Sequence, residues 1–249
     1  RQRQIVAIKS IQHNQRAFNV SYEILNPNAK VDLLVLHGWG SNKNLMKQSF
    51  SAFMDGFRHI YVDLPGFGGS TCPVALTTAD VARIVELLMV QINASKDIVL
   101  GHSFGGKVAL LLEPKVLVLV GSAGIYVNKS LTVKIKIFLF KTLKIFGLSR
   151  FRSLFVAEDA KELSEHMYQT FKNVVNEDFS EEFSKYEGKA LLCWGKDDTA
   201  TPLSSARKIS ALVKNSKLEV YDGDHYFFMK NARDVSKKIE TAFLETLGH

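Results

Sequence analysis

Cysteine is scarce in this chain, and its scarcity excludes a good deal. Cys72, in a loop, and Cys193, in an apolar run, are the only two; they make neither a disulfide framework nor a metal-ligand cluster, and a reducing compartment fits them. No stretch approaches the roughly 18 consecutive apolar residues of a membrane-spanning helix, and Arg1-Gln2-Arg3-Gln4-Ile5 carries no apolar segment of signal-peptide length. A cytoplasmic location is the expectation. No linker rich in proline, glycine and serine interrupts the 249 residues. That length, with 46% hydrophobic content, suffices for one large core, and short apolar runs alternating with amphipathic stretches predict a single α/β domain. The glycines follow neither the Gly-x-Gly-x-x-Gly nor the Gly-x-x-x-x-Gly-Lys-Ser/Thr order, so no nucleotide loop is expected, nor is a nucleic-acid partner.

Acidic residues are missing from one segment. Between Ile125 and Ala157 stand Lys129, Lys134, Lys136, Lys141, Lys144, Arg150 and Arg152 with no carboxylate among them; the formal net charge is +7, so the rest of the chain sums to zero.

What is present centres on Gly101-His102-Ser103-Phe104-Gly105-Gly106. The apolar Asp97–Leu100 precedes it and the helix-prone Lys107–Leu112 follows, so a buried strand turns sharply into a helix with Ser103 at the apex. Small residues are required at 101 and 105 because a serine held near positive φ brings the flanking backbone too close for a Cβ. Such a Gly-x-Ser-x-Gly turn between strand and helix is a nucleophile elbow.

Upstream, Ile5–Ile11 and Ala17–Leu25 read as antiparallel strands joined at His13-Asn14-Gln15, where His13 is expected to be a solvated turn residue. Val31–Leu36 is a buried strand ending in His37-Gly38-Trp39-Gly40, with His37 expected to hold that loop by hydrogen bonds. A helix over Leu45–Met54, a strand over Arg58–Val62 and the loop Asp63-Leu64-Pro65-Gly66-Phe67-Gly68-Gly69-Ser70 follow. Thr77-Thr78-Ala79-Asp80 caps a helix running to about Ile92. Downstream of the elbow, Val116–Val120, Ala190–Trp194 and Leu218–Tyr221 predict strands. Ile135, Phe138, Leu139, Leu143 and Phe146 recur at helical spacing, and Ala232–Leu247 predicts the last helix.

The elbow together with Asp-x-Pro-Gly-x-Gly-x-Ser at 63–70 resembles the α/β-hydrolase family, and His37-Gly38-Trp39-Gly40 is similar to the corresponding loop of its carboxylesterase members. The resemblance implies a mostly parallel sheet flanked by helices, with residues 1–126 and 187–249 as the core and 127–186 as a helical cap. The nucleophile helix is short for the family, since Glu113-Pro114 arrives seven residues after Gly106. By position in the family, Ser103 is the nucleophile, Asp198, in Gly195-Lys196-Asp197-Asp198, the acid and His225, after the last strand, the base. Trp39 and Phe104 would donate the amides of the oxyanion hole. No cofactor and no metal are implied.

An ester with an apolar acyl or aromatic portion is the expected substrate, because Phe151, Phe155, Met167 and Phe171 of the cap would roof the pocket; His166 reads as a pocket or surface residue. Carbon–carbon bond hydrolases of ring-cleavage products are the alternative, although they usually carry Trp after the base, where this chain has Tyr226. A non-catalytic ligand-binding member is the other. Dehalogenases and epoxide hydrolases place Asp at the elbow, which Ser103 excludes. The basic cap segment reads as a solvated flank, with docking on an anionic membrane or carrier protein as the sharper alternative.

Overall fold

A computed structural model describes residues 4–127 and 158–248, the latter from 158 to 164 by backbone alone. The helix expected around Ile135–Phe146, the seven basic residues of that segment, Phe151 and Phe155 lie outside the described residues.

The chain opens with a hairpin of β1 (Gln4–His13) and β2 (Arg16–Leu25), registered from Gln4 opposite Leu25 to His13 opposite Arg16. Asn14 and Gln15 form its two-residue loop with φ of 48° and 61°, the paired positive values that match the strands' twist. His13 is not solvated as expected: its Nε2 lies 2.8 Å from Asp80 Oδ1, because the hairpin tip packs on the helix that Asp80 begins. β3 (Val31–Leu36), α1 (Lys43–Phe50), β4 (Phe57–Val62), α2 (Thr78–Gln91), β5 (Ile98–His102), α3 (Phe104–Leu111) and β6 (Val116–Val120) then alternate. α4 (Glu158–Val174) and α5 (Ser180–Lys185) precede β7 (Lys189–Gly195), α6 (Leu203–Leu212), β8 (Ser216–Tyr221) and α7 (Phe228–Thr246).

All eight strands form one sheet in the order β1-β2-β4-β3-β5-β6-β7-β8, antiparallel through β1, β2 and β4 and parallel thereafter. β5 and β6 are buried throughout, whereas β8 at the rim is half exposed. Alternation along the central strands feeds two cores: Leu34 and Leu36 pack with α2, α3 and α6, while Leu33 and Val35 face α1 and α7. Thr77 caps α2 through the reciprocal box with Asp80.

Two helix boundaries depart from the pattern-based reading. α1 stops at Phe50, ahead of Met54 at φ 58°, and α7 starts at Phe228, a turn before Ala232. The terminal residues meet in the fold, the rings of Phe50 and Phe228 stacking at 5.9 Å, a contact that local periodicity does not reveal. α3 is short as expected. It ends where Glu113 adopts φ 51° before Pro114, and the Tyr186 hydroxyl donates to Pro114 O at 2.7 Å. No helix among the described residues is long and apolar enough to cross a membrane.

Candidate active site

Ser103 stands between β5 and α3 with φ 52° and ψ −117°, a conformation that costs on the order of 1–3 kcal/mol and persists only where its surroundings enforce it. The enforcement is visible. A Cβ on Gly101 would lie 2.2 Å from Gly105 O, and one on Gly105 2.5 Å from His37 O, so the turn closes only because both are glycine. The Ser103 N–H donates to Val120 O at 3.2 Å and its carbonyl accepts from the Ala123 N–H at 3.0 Å. Phe104 begins α3, so its amide has no carbonyl partner a turn earlier within the helix.

The loop after β3 approaches from the other side. Leu64 N–H donates to His37 Nε2 at 2.9 Å, which leaves the ring's proton on Nδ1, where it donates to Gly38 O at 2.7 Å. That carbonyl shares a peptide plane with the Trp39 N–H, so the ring fixes the direction of this amide. His37 is fully buried and its pKa is lowered by that burial; it holds the loop, as expected. The Asp63 motif pins the neighbouring loop: Asp63 accepts from Lys43 N–H at 2.7 Å, Lys43 Nζ at 2.6 Å and Gly69 N–H at 3.0 Å.

Asp198 and His225 meet beyond the ends of β7 and β8. His225 Nδ1 lies 2.7 Å from Asp198 Oδ2, with both residues buried. The other carboxylate oxygen accepts the amides of Ala200 at 2.9 Å and Thr201 at 2.8 Å. Thr201 Oγ1 sits 3.0 Å from Asp198 Oδ2 and 2.9 Å from Gly121 O. Gly121, at φ 51°, lies against the pair, for a Cβ there would be 3.1 Å from Asp198 Oδ2 and 3.2 Å from His225 Nδ1. Of the two adjacent aspartates, 198 is the one placed on the histidine.

His102 joins the two halves. It precedes Ser103, and its Nε2–H donates to the His225 carbonyl at 3.0 Å with ring centroids 4.6 Å apart. Burial, then the neighbouring His225, hold its pKa well below the ordinary histidine value, so it stays neutral beside the His225 ring. Sequence reasoning placed it beside the apex and assigned it nothing.

A cavity of about 70 Å³ opens beside Ser103. Trp39, Phe104, Ile125, Phe171 and Val174 line it, and Trp39 packs on Phe67, Phe104 and Phe171 at 4.9, 5.7 and 5.3 Å. Phe171 thus stands in the cavity wall as expected, Met167 lies over Gly66, and His166, half buried, does not line the cavity. Lys107 and Glu177 also line it, a pair that motif reading missed. The available signal was Lys107 itself, a cation in an apolar helix, four residues and so one turn beyond Ser103. Among the described residues no group of histidine, cysteine and carboxylate side chains is arranged to hold a metal ion.

Comparison with known proteins agrees with this fold. The pimeloyl-[acyl-carrier protein] methyl ester esterase of Vibrio campbellii is 41% identical over 78 residues, covering 31% of this chain and only 29% of that enzyme's length. The 2-hydroxy-6-oxononadienedioate/2-hydroxy-6-oxononatrienedioate hydrolase 1 of Pseudomonas putida is 24% identical across 85% of this chain and 87% of its own. Among solved structures, an esterase of Exiguobacterium antarcticum superposes with a TM-score of 0.73 at 21% identity, covering 94% of this chain and 98% of its own. The model of the alpha/beta hydrolase family matches residues 33–237. With that match across most of its length and this sheet beneath it, the chain belongs to the alpha/beta hydrolase family.

Proposed function

We propose that this hydrolase cleaves carboxylic esters by two-step acyl transfer through Ser103, His225 and Asp198. The observation that carries the reading is the buried 2.7 Å Asp198–His225 pair held against the neighbour of a serine at positive φ. Ser103 is a poor nucleophile until His225 takes its proton; Asp198, fixed by two amides, keeps the imidazole in the required tautomer and stabilises the imidazolium. Ser103 Oγ attacks the ester carbonyl, and the oxyanion rests on the Trp39 and Phe104 amides, each worth ~10²–10³ in rate. The alcohol departs with the proton from His225, and water releases the acid by the same steps. The segment expected to form the cap contributes Phe171 and Val174 to the wall of this cavity. Its aromatic lining supports an apolar acyl or aromatic portion in the substrate.

Hydrolysis of p-nitrophenyl esters from acetate to decanoate by wild type and Ser103→Ala tests the reading. Turnover by wild type that disappears in Ser103→Ala is expected; no turnover by folded wild type overturns it. The similarity to the Pseudomonas putida hydrolase along 85% of this chain supports a second reading, cleavage of a carbon–carbon bond next to a carbonyl by the same three residues. Ser103-dependent loss of a vinylogous 1,5-diketone substrate, without ester turnover, would favour it.

A further inference from the structure

Most of the cavity beside Ser103 is apolar, yet Lys107 and Glu177 stand in its wall. Lys107 is 3% exposed. Its Nζ donates to Val174 O and, at 2.8 Å, to Glu177 Oε2, and it lies 5.4 Å and 5.3 Å from the ring centroids of Phe104 and Phe179. The Thr78 hydroxyl donates to the same Glu177 oxygen. Both bonds land on Oε2, so Oε1 has no donor among the described residues, and the Glu177 side chain keeps 27% of its surface exposed. A buried ion pair gives little or no stability over apolar side chains of equal volume. Its presence in this wall is better explained by what it offers an occupant.

We propose that Glu177, held in place by Lys107 and Thr78, is an acceptor subsite that selects esters whose acyl group carries a hydrogen-bond donor, a hydroxyl or an ammonium, over plain alkyl acyl groups. The inference rests on the ester-hydrolase reading and narrows its substrate class. An alkyl chain laid against Oε1 strips water from a carboxylate oxygen and returns nothing, whereas a hydroxyl or ammonium restores the bond. Sites built to pair with a substrate donor discriminate against the analogue lacking it far more than apolar pockets discriminate by size. Lys107 lies one helical turn from Ser103, about 6 Å along the axis, which places the subsite within reach of a short acyl chain.

The test compares methyl esters of ω-hydroxy, ω-amino and unsubstituted acids from butanoyl to octanoyl, followed by proton release, in wild type, Glu177→Gln and Glu177→Leu. At one or more chain lengths, wild-type kcat/KM for the hydroxy ester is expected to exceed that of its alkyl counterpart about tenfold, the partial exposure of Glu177 reducing the larger ratios of sealed sites. Glu177→Leu should bring the ratio towards one, and Glu177→Gln should lose the ammonium preference first. A wild-type ratio near one at every length overturns the proposal whether or not the variants fold, and so does an undiminished ratio in folded Glu177→Leu. If wild type hydrolyses no ester, the hydrolase reading has failed separately. The subsite is then judged by thermal shift with ω-hydroxyalkyl and alkyl methyl ketones: a larger shift with the hydroxy compound supports it, and equal shifts overturn it.

Discussion

Lowering the pH from about 7.5 to about 5.5 should destabilise this protein well before its carboxylates titrate. His37, His59 and His102 are 0%, 0% and 1% exposed, and burial holds the pKa of each below its ordinary value. His37 Nε2 accepts an amide, His59 lies between Tyr61 Oη and Met54 O, and His102 Nε2 donates to the His225 carbonyl while its Nδ1 is buried without a partner among the described residues. In the unfolded chain each titrates near about 6.5. Above that pH both states are neutral and the groups contribute no pH dependence. Below it the unfolded chain takes up protons that the fold refuses, so unfolding free energy falls by up to about 1.4 kcal/mol per pH unit per histidine. Near pH 5.5 the three together remove up to about 4 kcal/mol, a large part of the ~5–15 kcal/mol that holds a typical domain. Paired carboxylates such as Asp80 and Asp97 have lowered pKa values too, but their stabilisation is lost only towards and below pH ~4, outside this window. Urea unfolding at both pH values measures the difference, and His59→Gln, remote from Ser103, should reduce the slope by about a third. A urea midpoint that is equal or higher at the lower pH would refute the reasoning.

Two further outcomes follow from the geometry around Ser103. His102→Leu removes the donor to the His225 carbonyl and should lower kcat about tenfold with KM little changed, while His102→Gln, whose amide can reach the same carbonyl, should recover most of it; equal kcat in the two variants would contradict this positioning role. Gly105→Ala drives a methyl to 2.5 Å from His37 O and 2.8 Å from Leu36 O, and should cost roughly 2–4 kcal/mol in urea unfolding. An unchanged midpoint would show that the elbow has slack it is not expected to have.

The parts of the site legible in the sequence are those whose chemistry is local. The elbow glycines, the Asp63 loop and the capping box each consist of residues within a few positions of one another, so their patterns are visible in the sequence, although Gly105 also closes against His37 O and Asp63 also accepts from Lys43. His37 was readable as a loop holder from its place beside Gly38, but its bond from Leu64, 27 positions away, was not. Lys107 and Glu177 pair across 70 positions, and the His102 bond to His225 spans 123, so no spacing rule brings them together. His13 was misread because its partner Asp80 lies 67 residues away. Helix limits were missed as well: Phe50 ends one helix and Phe228 starts another, and their stacking is a contact of the folded chain that periodicity does not show.

The half-exposed rim strand β8, paired only with β7, leaves the site unevenly anchored. Ser103 is delivered by a central strand buried along its whole length, but His225 follows a strand at the sheet's edge. Local opening at a sheet edge needs far less free energy than global unfolding. Opening of that edge is expected to displace the proposed base while the core and the elbow stay intact. On the proposed reading, the loss of activity on heating would then precede the loss of structure, the first set by the rim and the second by the centre of the sheet.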